Sequence, residues 1–219
     1  MQHDFEYVKP TEYGPVKAKL RELINKVELE MQRECFSFQS EFIGSTTLNM
    51  VTRDRKSNVG YDFDVNVYPN VDFDDYTPAE LRQLFTKYFN KYAHEYGYSH
   101  CEDSTRVLTI KVKDTAHSKI KHSCDIGIVL YDDDDDGWYV HCNKAGDRKT
   151  YEFKMLPDPD EIEDKISWLK ENGYWNQVRK MYLRLKNNNT DDDKKSRSLR
   201  LEAINNIFNE YVEYDDEEN

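Results

Sequence analysis

The chain lacks any apolar run near the roughly 20 residues that cross a bilayer, so no membrane partner is expected. Its opening, Met1 to Pro10, carries Asp4 and Glu6 and lacks a basic flank followed by an apolar stretch, so it does not read as a secretory signal. Its four cysteines, Cys35, Cys101, Cys124 and Cys142, show no CxxC spacing. With no secretory signal, reduced thiols and a cytoplasmic location are expected. Positive charge is short as well: 31 Lys and Arg stand against 43 Asp and Glu, a net charge of −12. Such a chain does not draw long nucleic acid by its overall field, which weighs against RNA as a partner. No internal repeat is present. His94, His100, Cys101, His117, His122 and Cys124 lack zinc-ligand spacing, and no GxSxG supports a serine nucleophile. The Asp132–Asp136 run lacks the spaced ligands and closing Glu of a calcium loop and reads as a solvated turn.

What is there suits one mid-sized domain, or a catalytic core with a helical annex, in 219 residues. Sixteen Tyr and ten Phe supply apolar mass for a core. Charge is uneven, with acid in Asp132–Asp136, Asp191–Asp193 and Asp215–Glu218, and base in Lys111–Lys121 and Arg179–Arg200. Helical spacing of Leu20, Leu23, Ile24, Val27 and Met31 predicts a helix over Pro15–Glu34. Alternation predicts strands over Cys35–Ile43 and Tyr61–Tyr68. Between them lie Gly44-Ser45-Thr46-Thr47 and a polar stretch, Thr52 to Gly60. Thr77-Pro78-Ala79-Glu80 starts a helix with a capping pair and ends it near Gly97. Strands follow over Arg106–Lys113, His122–Tyr131, Trp138–Asn143 and Thr150–Met155, closed by Pro157 and Pro159. Three helices complete the chain: Asp160–Asn172, Trp175–Lys186 and Ser198–Tyr214. The expectation is an α+β fold, a mixed β-sheet core flanked by helices over residues 1–156, a helical lobe over 157–214 and a mobile acidic tail over 215–219.

In a strand, residues two apart face the same way. Asp62, Asp64 and Asn66 therefore share one face, and Phe63, Val65 and Val67 the other. Two neighbouring carboxylates repel, and a divalent metal compensates best. Ser123, Asp125, Gly127 and Val129 likewise share a face of a strand nearly free of charge. Pairing of the two strands would make Asp125 the third carboxylate, a set of hard oxygen ligands suited to Mg²⁺, with Mn²⁺ as a substitute. The Gly-Ser loop ahead of the carboxylate strand lets backbone N–H groups approach phosphate oxygens, with Ser45 adding a hydroxyl.

Ile43-Gly44-Ser45, Asp62-Phe63-Asp64-Val65 and Cys124-Asp125-Ile126 together resemble the signature of the DNA polymerase beta-like nucleotidyltransferase superfamily. Within it the chain looks most similar to the branch of cyclic GMP-AMP synthase, oligoadenylate synthase and their bacterial relatives. The resemblance implies that Gly44 and Ser45 hold the donor phosphates of an NTP, and that Asp62 and Asp64 bind the metals. Asp125 would complete one metal site and help activate the acceptor hydroxyl. It also implies triphosphate contacts from Lys180 or Lys186 and from Ser196 or Ser198. The spacer from Ser45 to Asp62 is longer, and the chain shorter, than in that branch. The implied activity is transfer of a nucleoside monophosphate to a hydroxyl with release of pyrophosphate, the acceptor being a second nucleotide. A small-molecule acceptor such as an antibiotic, an RNA 3′ end, a nucleotide sensor or regulatory partner without turnover, and a metal-dependent nuclease or phosphatase using the same carboxylates are the rival readings.

Overall fold

The structure is a computed structural model that describes residues 3–156, 162–191 and 193–217, with side chains as far as Val212. Pro157, Pro159, the expected helix start at Asp160 and the side chains of the acidic tail lie outside the described residues. In chain order the elements are β1 (Phe5–Tyr7), α1 (Pro10–Gln32), β2 (Phe38–Ile43), β3 (Thr52–Asp54), β4 (Val59–Pro69), α2 (Pro78–Tyr92), β5 (Glu102–Asp103), β6 (Leu108–Asp114), β7 (Lys119–Tyr131), β8 (Gly137–Ala145), β9 (Arg148–Met155), α3 (Ile162–Glu171), α4 (Trp175–Asn188) and α5 (Ser196–Glu217). They form two compact units.

The larger unit takes residues 8–51 and 58–156. Its sheet runs β2-β4-β7-β6-β5, with β8 joined to the end of β7 and β9 to β8. The β4–β7 pair is parallel and the others are antiparallel. One face is the core. Phe63, Val65 and Val67 of β4 meet Cys124, Ile126 and Ile128 of β7 there, with Leu108 and Ile110 of β6, and all are buried. The apolar stripe of α1, Leu20, Leu23, Ile24, Val27 and Met31, belongs to the same cluster.

Local chemistry explains the ends of these elements. Helix α1 starts at Pro10, five residues ahead of the expected Pro15. Lys9 is extended, and the proline N–H missing from a first turn is not needed there. Pro15 is then carried inside the helix, at the loss of one backbone bond. Strand β2 opens at Phe38, not Cys35, because Cys35 sits in the left-handed region at φ 62°. Helix α2 has the expected box: the Glu80 N–H reaches Thr77 Oγ1 at 3.3 Å and the Thr77 N–H reaches Glu80 Oε2 at 2.8 Å. A tighter helical turn, Ala93–Tyr96, ends it at Gly97 with φ 83°.

The second unit gathers residues 1–7, 52–57 and 157–219. The helices thus share their unit with two segments of the N-terminal half. Strand β3, in the long spacer after the Gly-Ser loop, pairs with β1 in register Phe5 to Asp54 and Tyr7 to Thr52. The Asn187 side chain of α4 bonds both backbone groups of Phe5, at 2.6 and 3.2 Å. Tyr7 donates its hydroxyl to the Arg179 carbonyl at 2.8 Å, under that residue's guanidinium. Val178 and Tyr182 of α4 and Leu199, Ala203, Ile204 and Ile207 of α5 are buried. Helix α5 runs to Glu217, through the first three residues of the expected tail.

Candidate active site

The carboxylates lie on the sheet face opposite the core, in the larger unit. Strand β4 alternates strictly, so Asp62, Asp64, Asn66 and Tyr68 face away from Phe63, Val65 and Val67. The parallel register sets Asp62 beside Ser123, Asp64 beside Asp125 and Asn66 beside Gly127. Asp64 and Asp125, sixty-one positions apart in the chain, are direct lateral neighbours. The sequence expectation that the two strands pair is met by this register.

Each carboxylate has a distinct surrounding. Asp62 is exposed and accepts the Ser123 hydroxyl. Asp125 accepts the Thr109 hydroxyl from β6, its register partner, at 2.6 Å. Burial pushes the Asp125 carboxyl up from its ordinary range and Asp62 adds repulsion, while the Thr109 bond and the Lys111 ammonium oppose the rise. Lys111 itself pairs with Glu102. Asp64 stands against the Gly-Ser loop. A Cβ built on Gly44 would lie 2.7 Å from Asp64 Oδ2, and Gly44 has φ 70°, so both space and backbone conformation require glycine there. Beneath the face, burial first and then the three carboxylates raise the Cys124 thiol well above its ordinary value, which leaves it an inert core group.

As placed, Asp62 and Asp125 are turned to their hydroxyl partners, and among the described residues no three Asp, Glu, His or Cys side chains are gathered to hold an ion. The donor set nevertheless fits Mg²⁺ or Mn²⁺ in kind. Three carboxylates with hydroxyls between them are hard oxygen ligands, and their mutual repulsion on one face is relieved by a cation. The histidines do not converge. His117 joins Asp114 at 3.1 Å, while His122 stacks on Tyr61 inside the sheet's rim.

The lobe residues named from the sequence fall in the second unit. Lys180, Ser196 and Ser198 are exposed. Lys186 is buried, with its ammonium on Thr52 Oγ1 at 2.7 Å and 4.0 Å from the centre of the Phe5 ring. Ser45 is half-buried beside Gly44. Thr109 and Ser123 escaped the sequence reading as site residues. Ser123 was placed on the right face, whereas nothing in the sequence sets Thr109 opposite Asp125 before the β6–β7 register is known.

These features define a nucleotidyltransferase fold: an opening helix, a strand into a Gly-Ser loop, and carboxylates on two parallel neighbours. Bacterial synthases are among the solved structures it resembles. Vibrio cholerae DncV cyclic AMP-GMP synthase with nonhydrolyzable GTP matches at TM-score 0.55 and 18% identity, over 78% of this chain and 46% of that one. The same enzyme described as a prokaryotic cGAS homolog matches at 0.52 and 17%, over 87% and 52%. Escherichia coli DncV in a 3′-deoxy GTP bound form matches at 0.52 and 16%, over 78% and 46%. The chain therefore spans about half the length of the structures it resembles. No known family profile and no curated protein matches it in sequence.

Proposed function

We propose that this chain is a nucleotidyltransferase that moves a nucleoside monophosphate from an NTP to the hydroxyl of a second nucleotide, releasing pyrophosphate and making a signalling nucleotide in the cytoplasm. One observation carries the reading: Asp64 lies beside Asp125 across parallel strands while the Gly44 backbone abuts the Asp64 carboxylate. A phosphate chain held at a Gly-Ser loop so placed is next to the carboxylates without any further rearrangement of the backbone.

In this reading the Gly44 and Ser45 N–H groups and the Ser45 hydroxyl hold the donor phosphates. Lys180, Ser196 and Ser198, which the resemblance names as triphosphate contacts, are exposed in the helical unit. Lys186 is the weaker candidate, since its ammonium already serves Thr52 and Phe5. Asp62, Asp64 and Asp125 hold the divalent ion. That ion, Mg²⁺ or Mn²⁺, supplies neutralisation of the triphosphate and acidifies the attacking hydroxyl. The acceptor oxygen bonds to the α-phosphorus, the bond to pyrophosphate breaks, and Asp125 takes up the proton of the acceptor hydroxyl. Among the described residues no helix is long and apolar enough to cross a membrane.

The test is incubation with each labelled NTP and Mg²⁺ or Mn²⁺, the wild type beside Asp62→Ala/Asp64→Ala, with pyrophosphate and products read by chromatography. A nucleotide product lost in the double variant is expected. A product that forms only on added RNA removes the signalling reading. Free phosphate in place of pyrophosphate makes the protein a hydrolase. Intact nucleotide binding without product makes it a non-catalytic sensor.

A further inference from the structure

The site residues run in order across the sheet. The Gly-Ser loop lies at the β2–β4 edge, Asp62 and Asp64 stand on β4, Ser123 and Asp125 on β7, and Thr109 and Lys111 on β6. Lys111 faces the carboxylate side, because it is the register partner of Ser123 and lies two residues from Thr109, the partner of Asp125. One strand spacing and two residues of strand put its Cα roughly 8 Å from that of Asp125, and its charge is felt there. Both backbone groups of Lys111 bond Ser99: the Lys111 N–H reaches Ser99 Oγ at 3.3 Å, and the Lys111 carbonyl accepts the Ser99 N–H at 2.8 Å. The ammonium, on a side chain 23% exposed, pairs with Glu102. Lys113 reaches the same carboxylate at 3.6 Å. Two ammonium groups thus converge on one carboxylate. That leaves positive charge in excess beside a face of three carboxylates, in a chain of net charge −12.

We infer that Lys111, with Lys113 beside it, is the contact for the 5′-phosphate of the acceptor nucleotide, so that the site selects an acceptor carrying a phosphate over a bare nucleoside. The inference deepens the proposed transferase reading and rests on it. The order of the strands assigns the occupant. In phosphoryl transfer the attacking and leaving oxygens lie roughly in line on opposite sides of the phosphorus. The leaving pyrophosphate belongs at Gly44, so the acceptor comes from the far side of Asp125, over β7 and β6. Two strand spacings, about 10 Å, part the strand of Asp64 from that of Lys111, which keeps this ammonium apart from the donor phosphates. The 5′-phosphate of a nucleotide lies one ribose away from its own 3′-hydroxyl. With that hydroxyl at Asp125, Lys111 stands where the phosphate falls. Its ammonium then exchanges one oxygen anion, that of Glu102, for another, and Lys113 stays with Glu102. Lysine suits a phosphate as a compact charge with three donors on a flexible stem.

The test pairs turnover with a reading of Lys111 itself, on the full chain. In turnover the donor is each 2′,3′-dideoxy NTP with Mg²⁺, which has no ribose hydroxyl and cannot accept. The acceptor is a nucleoside or its 5′-monophosphate, neither of which can donate. The wild type should favour the monophosphate. A hydrogen bond between charged partners is worth roughly tenfold to a hundredfold. Lys111→Met should therefore lower the ratio of kcat/KM for monophosphate over nucleoside by about that factor, with the donor KM unmoved, and Lys111→Arg should keep the ratio. The ratio cancels any effect of the lost charge on Asp125, which both acceptors share. Separately, the lysines are methylated with carbon-13, which keeps their charge, and the Lys111 signal is assigned by its absence from Lys111→Arg. With Mg²⁺ and no donor, so that nothing turns over, nucleoside monophosphate should move that signal and nucleoside should not. An unchanged ratio in Lys111→Met, an equal loss in Lys111→Arg, a rise in donor KM in place of the change in ratio, or a Lys111 signal indifferent to the monophosphate overturns the assignment. If the signal responds while no donor gives pyrophosphate with any acceptor, the phosphate contact stands and the transferase reading falls. If product forms while ratio and signal ignore Lys111, the transferase reading stands and the contact falls.

Discussion

Replacing Thr109 by valine removes one hydroxyl and almost nothing else, since the two side chains are of nearly equal volume. That hydroxyl is the donor to Asp125 Oδ1 at 2.6 Å. A bond of that length to an ionised carboxylate contributes about 1.5–3 kcal/mol. At about 1.4 kcal/mol per tenfold change, its loss weakens whatever depends on a positioned, ionised Asp125 by roughly tenfold to a hundredfold. Loss of a partner behind a metal ligand costs a similar about 10–100-fold in metal affinity. The assay is Mn²⁺ binding to the nucleotide-free chain, followed by electron paramagnetic resonance of the free ion, beside steady-state turnover. Thr109→Val should bind Mn²⁺ correspondingly more weakly, while Thr109→Ser, which keeps the donor, should stay close to the wild type. The midpoint of urea unfolding reports separately on any general damage. Wild-type Mn²⁺ affinity and turnover in Thr109→Val would refute the reasoning, and so would an equal loss in Thr109→Ser at unchanged stability.

Further outcomes follow from other parts of the molecule. Asp125→Asn should abolish turnover yet stabilise the fold at neutral pH. The native state holds the Asp125 proton more tightly than the unfolded chain, so this group's contribution falls as pH rises from the ordinary carboxylate range through the raised value. The gain over wild type in urea denaturation should therefore shrink in acid. Gly44→Ala forces a Cβ to within 2.7 Å of Asp64 Oδ2 at φ 70°. The backbone conformation alone should cost about 1–2 kcal/mol in thermal unfolding, with loss of turnover. Arg82, 1% exposed, donates to Asp103 at 2.8 Å and to the Val107 carbonyl at 2.6 Å, so Arg82→Ala empties a buried site and unpairs a backbone acceptor, and should lower stability by about 2–5 kcal/mol even though Lys149 still pairs with Asp103. His122 is held neutral, its pKa lowered to about 4 by burial and by Lys19 and Lys121. The unfolded chain binds that proton first, so stability should be full above the ordinary histidine pKa and fall as pH drops through about 4. His122→Phe should flatten that limb of the urea-midpoint profile.

Much of the site was legible because strand alternation is a local rule. The pattern Tyr61 to Tyr68 placed Asp62 and Asp64 on one face and Phe63 and Val65 on the other, and His122 to Tyr131 did the same for Asp125. The box at Thr77 and Glu80 and the stop near Gly97 were also readable, since caps are made within a few residues. Short-range chemistry fails where an element is too brief to show a period. Strands β1, β3 and β5, of two or three residues, left no pattern, and β1 and β3 exist only because they find each other across forty-five positions of chain. The long spacer after Ser45 therefore read as a polar stretch, although part of it pairs with the N-terminus in the helical unit.

By itself the sequence determined an α+β core with three carboxylates on strand faces and glycine before a serine loop, because period and turn chemistry are written in neighbouring residues. Only the tertiary structure decided that Asp64 and Asp125 are lateral neighbours, that Thr109 and Ser123 hold two of the three carboxylates, and that the Lys186 ammonium is committed to Thr52. It alone set Lys111 beside Ser123 on the carboxylate face. Each of these depends on register between distant segments, and register is settled by the packing of the whole sheet and by the burial of its apolar face.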